Sequence, residues 1–171
     1  MTVIADGPVS SPRPKPLTPD RYERALAYLS VLMLVAVLAA IVRGAPEWSR
    51  VPPFVWLHLA TISVALALTP ILLLRVRGTR QHRRLGWIWA AAMAGTAAST
   101  FFIRSHDGRF SVIHILSVGT LITIPALVVA ARRHRVASHR TSVRATVTGA
   151  LLIAGFFTFP FGRMLGRWLF G

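Results

Sequence analysis

The chain has 171 residues, of which 54% are hydrophobic and only 15% are charged. A soluble domain carries about 25% charged residues, so this composition indicates an integral membrane protein. The 20 Lys and Arg residues outnumber the 5 Asp and Glu residues and give a net charge of +15. Because the basic residues cluster between long apolar stretches, they indicate membrane loops and argue against nucleic acid as a partner. The chain has no cysteine, which excludes disulfides, thiolate catalysis and covalent haem attachment.

The first twenty residues contain five prolines and no apolar run. They lack the basic start and the apolar core of a secretory signal peptide. We therefore expect residues 1–20 to form a disordered cytoplasmic tail, followed by one transmembrane domain over residues 21–171.

Five stretches reach or approach the roughly 20 apolar residues that a helix needs to cross a bilayer core of about 30 Å. Apart from Glu23 and Arg24 at the start of the first stretch, they contain no Asp, Glu, Lys or Arg. The predicted spans are residues 22–42, 54–74, 85–103, 111–131 and 145–161. The sequence thus predicts an all-α integral membrane protein with five transmembrane helices.

Arginine is distributed unevenly between the predicted loops. Residues 75–84 and 132–144 contain five arginines each, and the tail is also basic, whereas the alternate loops carry two each. Cytoplasmic loops are enriched in Lys and Arg. We therefore expect an inner-membrane protein with a cytoplasmic N-terminus and an external C-terminus, whose basic loops contact anionic lipid.

The second and third spans resemble the fourth and fifth. In each half, about 54–104 and about 111–165, an early histidine is followed by a late proline, a basic loop, a His-Arg pair and another apolar span. His58 lies 24 residues before His82, and His114 lies 25 residues before His139. A duplicated two-helix unit would form a four-helix core with approximate two-fold symmetry, and the N-terminal helix would pack outside it. Proline near a span end and basic inner loops also arise without duplication.

Four histidines fall at two depths in this topology. His58 and His114 lie near the outer surface, and His82 and His139 lie at the inner edge. Two imidazoles from facing helices can clamp a haem iron in a bundle core. Because the two levels are separated by most of the bilayer, a single outer haem is an alternative to two haems.

Arginines beside each level could bind haem propionates through bidentate hydrogen bonds. The candidates are Arg83, Arg84, Arg140 and Arg144 on the inside and Arg50, Arg104 and Arg109 on the outside. Each histidine also has a structural interpretation. The outer pair can hydrogen-bond neighbouring helices as neutral imidazoles, and the inner pair can be solvated among lipid headgroups.

The segments "LRVRGTRQHRRLGWIWAAAM", "SVIHILS" and "SHRTSVR" resemble a bacterial family of predicted membrane proteins of unknown function. The shared feature is a His-Arg-x-x-Gly motif at the start of a span, here His82, Arg83 and Gly86, with a second His-Arg pair at His139 and Arg140. The helix layout is also similar to that of the ascorbate-reducible b-type cytochromes. That resemblance implies non-covalent haem b, with His58 and His114 as one ligand pair and His82 and His139 as the other. It also implies electron transfer from a quinol or another small reductant.

Two other function classes compete with the electron-transfer hypothesis. A non-catalytic membrane subunit or scaffold would use the histidines for helix packing and the arginines for lipid contact. A transporter built from repeats is disfavoured because the spans lack the acidic residues that ion pathways use.

Overall fold

The structure is a computed structural model, and it describes residues 18–103 and 112–171 of the chain. The predicted tail up to residue 17 and the predicted outer arginines Arg104 and Arg109 lie outside the described residues. Within those residues all regular secondary structure is helical.

Six helices are numbered here in chain order. The first four are α1 (Arg21–Arg43), α2 (Pro53–Leu74), α3 (Arg80–Ser99) and α4 (Val112–Arg132). Helix α5 begins as an α-helix (Val136–Thr146), continues as a π-helix (Val147–Ile153) and ends with one more α-helical turn (Ala154–Phe156). The short α6 (Met164–Phe170) closes the chain, and 3₁₀ turns follow α1 (Ala45–Arg50) and α3 (Thr100–Phe102).

Four helical segments are long and apolar enough to cross a membrane. They are Arg21–Arg43, Pro53–Leu74, Arg80–Phe102 and His114–Arg132. Between 28% and 39% of the most apolar window of each is buried inside the protein, so most of their apolar surface is uncovered. Large side chains such as Leu32 (65% exposed) and Ile115 (73% exposed) face outwards. Uncovered apolar surface on this scale is typical of helices that contact lipid. The prediction of a multi-pass, all-helical membrane protein is confirmed for these four spans.

The predicted fifth span, residues 145–161, is not confirmed. Helix α5 starts in a polar sequence that contains Arg140 and Arg144, and its apolar part, residues 145–156, covers only about 18 Å at 1.5 Å per residue. The chain then turns before α6, with positive φ angles at Phe161 (63°) and Gly162 (66°). The sequence is apolar enough for a fifth span, but in the described residues this turn ends the helix well short of the bilayer thickness.

One hydrophobic core joins the helices. Helices α2 and α3 pack together as one hairpin, and α4 packs against α5 as another. Buried side chains from all five long helices form a single cluster; these include Leu26, Leu66, Met93, Leu127 and Leu151. Helix α1 packs against α2, α6 and the π-helical part of α5. The N-terminal helix is therefore part of the core, in contrast to the expectation that it packs outside a four-helix bundle.

Candidate functional site

A cleft of about 660 Å³ lies between the α2–α3 hairpin and the α4–α5 hairpin. The C-terminal ends of α2 and α4 and the N-terminal parts of α3 and α5 form its walls, and Glu23 reaches it from α1. Small-molecule and cofactor sites are typically clefts of about 300–1,000 Å³ with mostly apolar walls and a few polar groups. The cleft has this character: Leu72, Leu127 and Val128 line it alongside three histidines. It is therefore the candidate binding site of the described part of the chain.

His139 lines the cleft from α5, and its ring is fixed by a hydrogen bond. The Nδ1 atom donates to the carbonyl oxygen of Leu127 on α4, at 2.9 Å. Since a carbonyl oxygen only accepts, Nδ1 carries a proton and is the donor of this bond. This is the arrangement in which a histidine binds a metal ion through one nitrogen and is oriented by the other.

His82 lines the cleft from the first turn of α3. Its backbone N–H donates to the hydroxyl of Thr79, the N-cap residue, at 3.1 Å, which anchors this turn. The Nδ1 atom of His82 is buried, yet it has no hydrogen-bond partner among the described residues. An unsatisfied buried polar atom costs about 1–3 kcal/mol. His82 and His139 line the same cleft, so the structure places the predicted inner pair on one site.

The cleft wall beside His82 is open at Gly86, one turn further along α3. A Cβ atom built at Gly86 would have no neighbour within 4 Å, so this position leaves room for a flat ligand. Two other residues that line the cleft bond to each other: Trp89 Nε1 donates to the hydroxyl of Thr69 on α2, at 2.9 Å. The bond satisfies the buried indole and holds the α2–α3 hairpin together at the cleft.

A cluster of acidic and basic side chains forms one edge of the cleft. Glu23 is only 1% exposed and pairs with three arginines: Arg77 at 2.6 Å, Arg140 at 2.7 Å and Arg144 at 3.1 Å. Asp20 accepts from Arg140 and Arg144 as well. These bonds connect α1, the α2–α3 loop and α5. The predicted propionate ligand Arg140 is thus already engaged by carboxylates of the chain itself.

The cluster starts from the N-terminal cap of α1. Asp20 and Glu23 form a reciprocal capping box, in which each side chain accepts from the backbone N–H of the other residue. The Glu23 N–H and the Arg144 guanidinium lower the pKa of Asp20, so its carboxylate is charged at neutral pH. Sequence analysis missed the role of Glu23. The available signal was an Asp-x-x-Glu box that included the one acidic residue inside a predicted span.

Arg83, another of the predicted propionate ligands, lies at the exposed rim of the cleft. Its Nη1 atom donates to the carbonyl oxygen of Gly78 at 2.8 Å, within the α2–α3 loop. The Gly78 backbone has a φ of +80°, a conformation that glycine adopts without strain. Arg83 is therefore held by its own loop.

The predicted outer histidines have different surroundings. Nδ1 of His58 lies 3.1 Å from the carbonyl oxygen of Thr96 and 3.0 Å from the hydroxyl of Ser99, both on α3. The ring of His114 packs against Phe101 at a centroid distance of 5.7 Å. The geometry links His58 to its partner helix in the α2–α3 hairpin, which matches the helix-packing interpretation of an intramembrane histidine.

No group of three or more His, Cys, Asp or Glu side chains that could hold a metal ion occurs in the part of the chain that the structure describes. Of the three histidines that line the cleft, His82 and His139 each stand near the start of the second helix of a hairpin, and a pair of imidazoles can hold an iron whose other ligands come from a macrocycle. Comparison with known protein families, curated proteins and solved structures finds no match to this chain.

Proposed function

We propose that the chain binds one haem b in the cleft, where His82 and His139 would hold its iron, and takes part in electron transfer in the membrane. The observation that supports this proposal best is the state of the two rings. His82 has a buried nitrogen without a partner among the described residues, and the Nδ1 atom of His139 donates to Leu127, so Nε2 is the nitrogen with which His139 would hold a metal. A bound haem would supply a reversible one-electron couple.

The residues around the two histidines suit such a group. Leu72, Leu127 and Val128 provide an apolar environment for a macrocycle and would exclude water from its faces. Gly86 leaves space beside His82. Arginines at the cleft, including Arg83 and Arg132, provide positive charge for the anionic edge of a haem.

The symmetry of the cleft agrees with the proposed duplication. Each hairpin contributes one histidine from the start of its second helix, and each contributes apolar side chains from the end of its first helix. The cleft lies at the end of the bundle where the arginine-rich loops are. By the positive-inside rule this end is cytoplasmic, so we propose that a quinol or small reductant exchanges electrons there, beside anionic lipids. The predicted external C-terminus depends on a fifth crossing, for which α5 alone is too short.

We place the haem at the inner level. The sequence alone allowed two haems or a single outer haem, but His58 is engaged by Thr96 and Ser99 on α3. We therefore propose one haem rather than two.

A second candidate function is a membrane subunit without a cofactor. The observation that favours it is that His58 and His139 both donate to backbone carbonyl oxygens on a neighbouring helix, as packing residues do. It leaves the buried Nδ1 atom of His82 unexplained.

An absorbance spectrum of the purified protein separates the two candidates. We expect protein from haem-sufficient cells, in mild detergent, to show a b-type spectrum that sharpens on reduction with dithionite. The haem-to-protein ratio should be close to one. A colourless protein that also fails to take up added hemin would contradict the haem proposal and support the cofactor-free subunit.

A leucine at Gly86 should lower haem occupancy without lowering stability. Its side chain would extend into open space rather than into the core, since nothing lies within 4 Å of the Cβ position. We expect hemin affinity to fall by at least about 10-fold because the ligand loses its place beside His82, while the thermal unfolding midpoint of the haem-free protein stays within about 2 °C. Gly149→Leu on α5 is the matched control, because it also has no neighbour within 4 Å but does not line the cleft. Equal loss of affinity in both variants would contradict the placement of the ligand.

A further inference from the structure

Arg77 differs from the other arginines of the cluster in having a buried nitrogen without a hydrogen-bond partner among the described residues. It lies in the loop after α2 and lines the cleft wall. Its Nη2 atom donates to Glu23 at 2.6 Å, and the Leu73 carbonyl oxygen lies 3.4 Å from the same atom. Its Nη1 atom is buried and has no partner among the described residues.

The arginines predicted from the sequence are differently occupied. The Nε and Nη2 atoms of Arg140 both donate to the carboxylates of Glu23 and Asp20. Arg83 donates to Gly78 at the exposed rim. Neither is as good a candidate for ligand binding as Arg77. In Arg77 one nitrogen of the guanidinium is fixed by Glu23, and the other is buried without an acceptor.

A guanidinium group is rigid and planar, so a bond that fixes one nitrogen also sets the direction of the other. The short bond to Glu23 therefore orients Nη1 before any ligand arrives, which lowers the entropy cost of binding. The group that satisfies a buried guanidinium N–H best is a carboxylate, since charge-assisted bonds of this kind are the strong ones. Arg77 and His82 line the same cleft.

We propose that Arg77 Nη1 is the anion-binding donor of the cleft and binds a carboxylate group of the ligand. This inference rests on the proposed function, in which the ligand is haem b and the carboxylate is one of its propionates. Glu23 acts here as a positioning residue, since it holds the guanidinium and does not touch the ligand.

Two ligands that differ only in their carboxylates test this inference. Haem-free wild-type protein in detergent is titrated with hemin and with hemin dimethyl ester, in which both propionates are blocked, and the Soret band reports binding. We expect the wild type to bind hemin about 10- to 100-fold more tightly than the ester. In Arg77→Gln that preference should fall to about the level of experimental error, because the Gln side chain lacks the charged donor.

Arg75→Gln is the matched control, because Arg75 is an exposed arginine of the same loop that does not line the cleft, and it should keep most of the preference for hemin. Because selectivity is a ratio measured within one protein, a general loss of stability does not change it. If Arg77→Gln binds hemin and keeps the wild-type preference, the role of Arg77 is wrong and the haem proposal stands. If the wild type binds neither porphyrin, both proposals are wrong.

Discussion

Haem-free His139→Ala protein should bind hemin at least about 100-fold more weakly than the wild type, with no low-spin b-type spectrum. Loss of a residue that merely orients a metal ligand costs about 10- to 100-fold in affinity, and loss of the ligand itself costs at least as much. His82→Ala should behave in the same way, since the two rings face one cleft from opposite hairpins. The measurement is a hemin titration followed by the reduced spectrum of each variant.

His58→Ala is the matched control for both variants. His58 is another partly buried histidine on a membrane-spanning helix, but its Nδ1 bonds Thr96 and Ser99 and it does not line the cleft. We expect this variant to keep the spectrum and to lose only some stability, about 1 kcal/mol for an interhelical hydrogen bond in a membrane. A spectrum that survives in His139→Ala and disappears in His58→Ala would place the ligand at the outer level instead.

Added imidazole provides a further test of the histidine roles. The His139→Gly variant would have space where the ring was, so free imidazole at millimolar concentration should restore the low-spin spectrum. A variant that had lost haem through unfolding would not recover in this way. Restored absorbance would therefore identify His139 as a ligand rather than as a residue that only packs between α4 and α5.

The four long spans could be predicted from the sequence because a membrane helix depends on local composition. A run of about 20 apolar residues has few alternatives in a bilayer. The fifth span also passed this test of composition, but the turn after Phe156 depends on backbone conformation at Phe161 and Gly162. Hydropathy carries no information about such a turn.

The approach of His82 and His139 could be expected from their matched positions in the two halves, each at the start of a helix after a basic loop. The arginine partners could not be predicted in the same way. Arg77, Arg83 and Arg140 are equivalent by composition, and only the tertiary structure distinguishes them. What separates them is Glu23, whose place in the core follows from the packing of α1 against α2. Because α1 has no counterpart in the predicted repeat, the repeat pattern gave no reason to place Glu23 in the core.

Glu23→Gln should destabilise the protein by about 3 kcal/mol and lower its thermal unfolding midpoint by roughly 6–12 °C. The substitution removes one charge from a residue that is 1% exposed and leaves three arginines with only Asp20 as an anion. Breaking a buried ion pair costs about 3–5 kcal/mol, because the remaining charge is desolvated without compensation. The lower end of this energy range applies to Glu23 because its arginine partners are still 17–27% exposed. The measurement is thermal unfolding of the haem-free protein in detergent, followed by circular dichroism.

Glu47→Gln is the control for Glu23→Gln. It removes the same charge from an exposed position in the 3₁₀ turn after α1, and it should leave the thermal unfolding midpoint unchanged.

A second substitution separates the effect of charge from the effect of packing. In Glu23→Gln with Arg144→Gln, the cluster has one cation fewer while Asp20 still pairs with Arg140, so part of the lost stability should return. If the cost came from altered packing around Glu23, the double variant would be less stable than the single one, because Arg144 also contacts the Tyr22 ring at 5.6 Å. Recovery would show that the acidic residue at the start of α1 holds the two hairpins together by balancing the positive charge around the cleft.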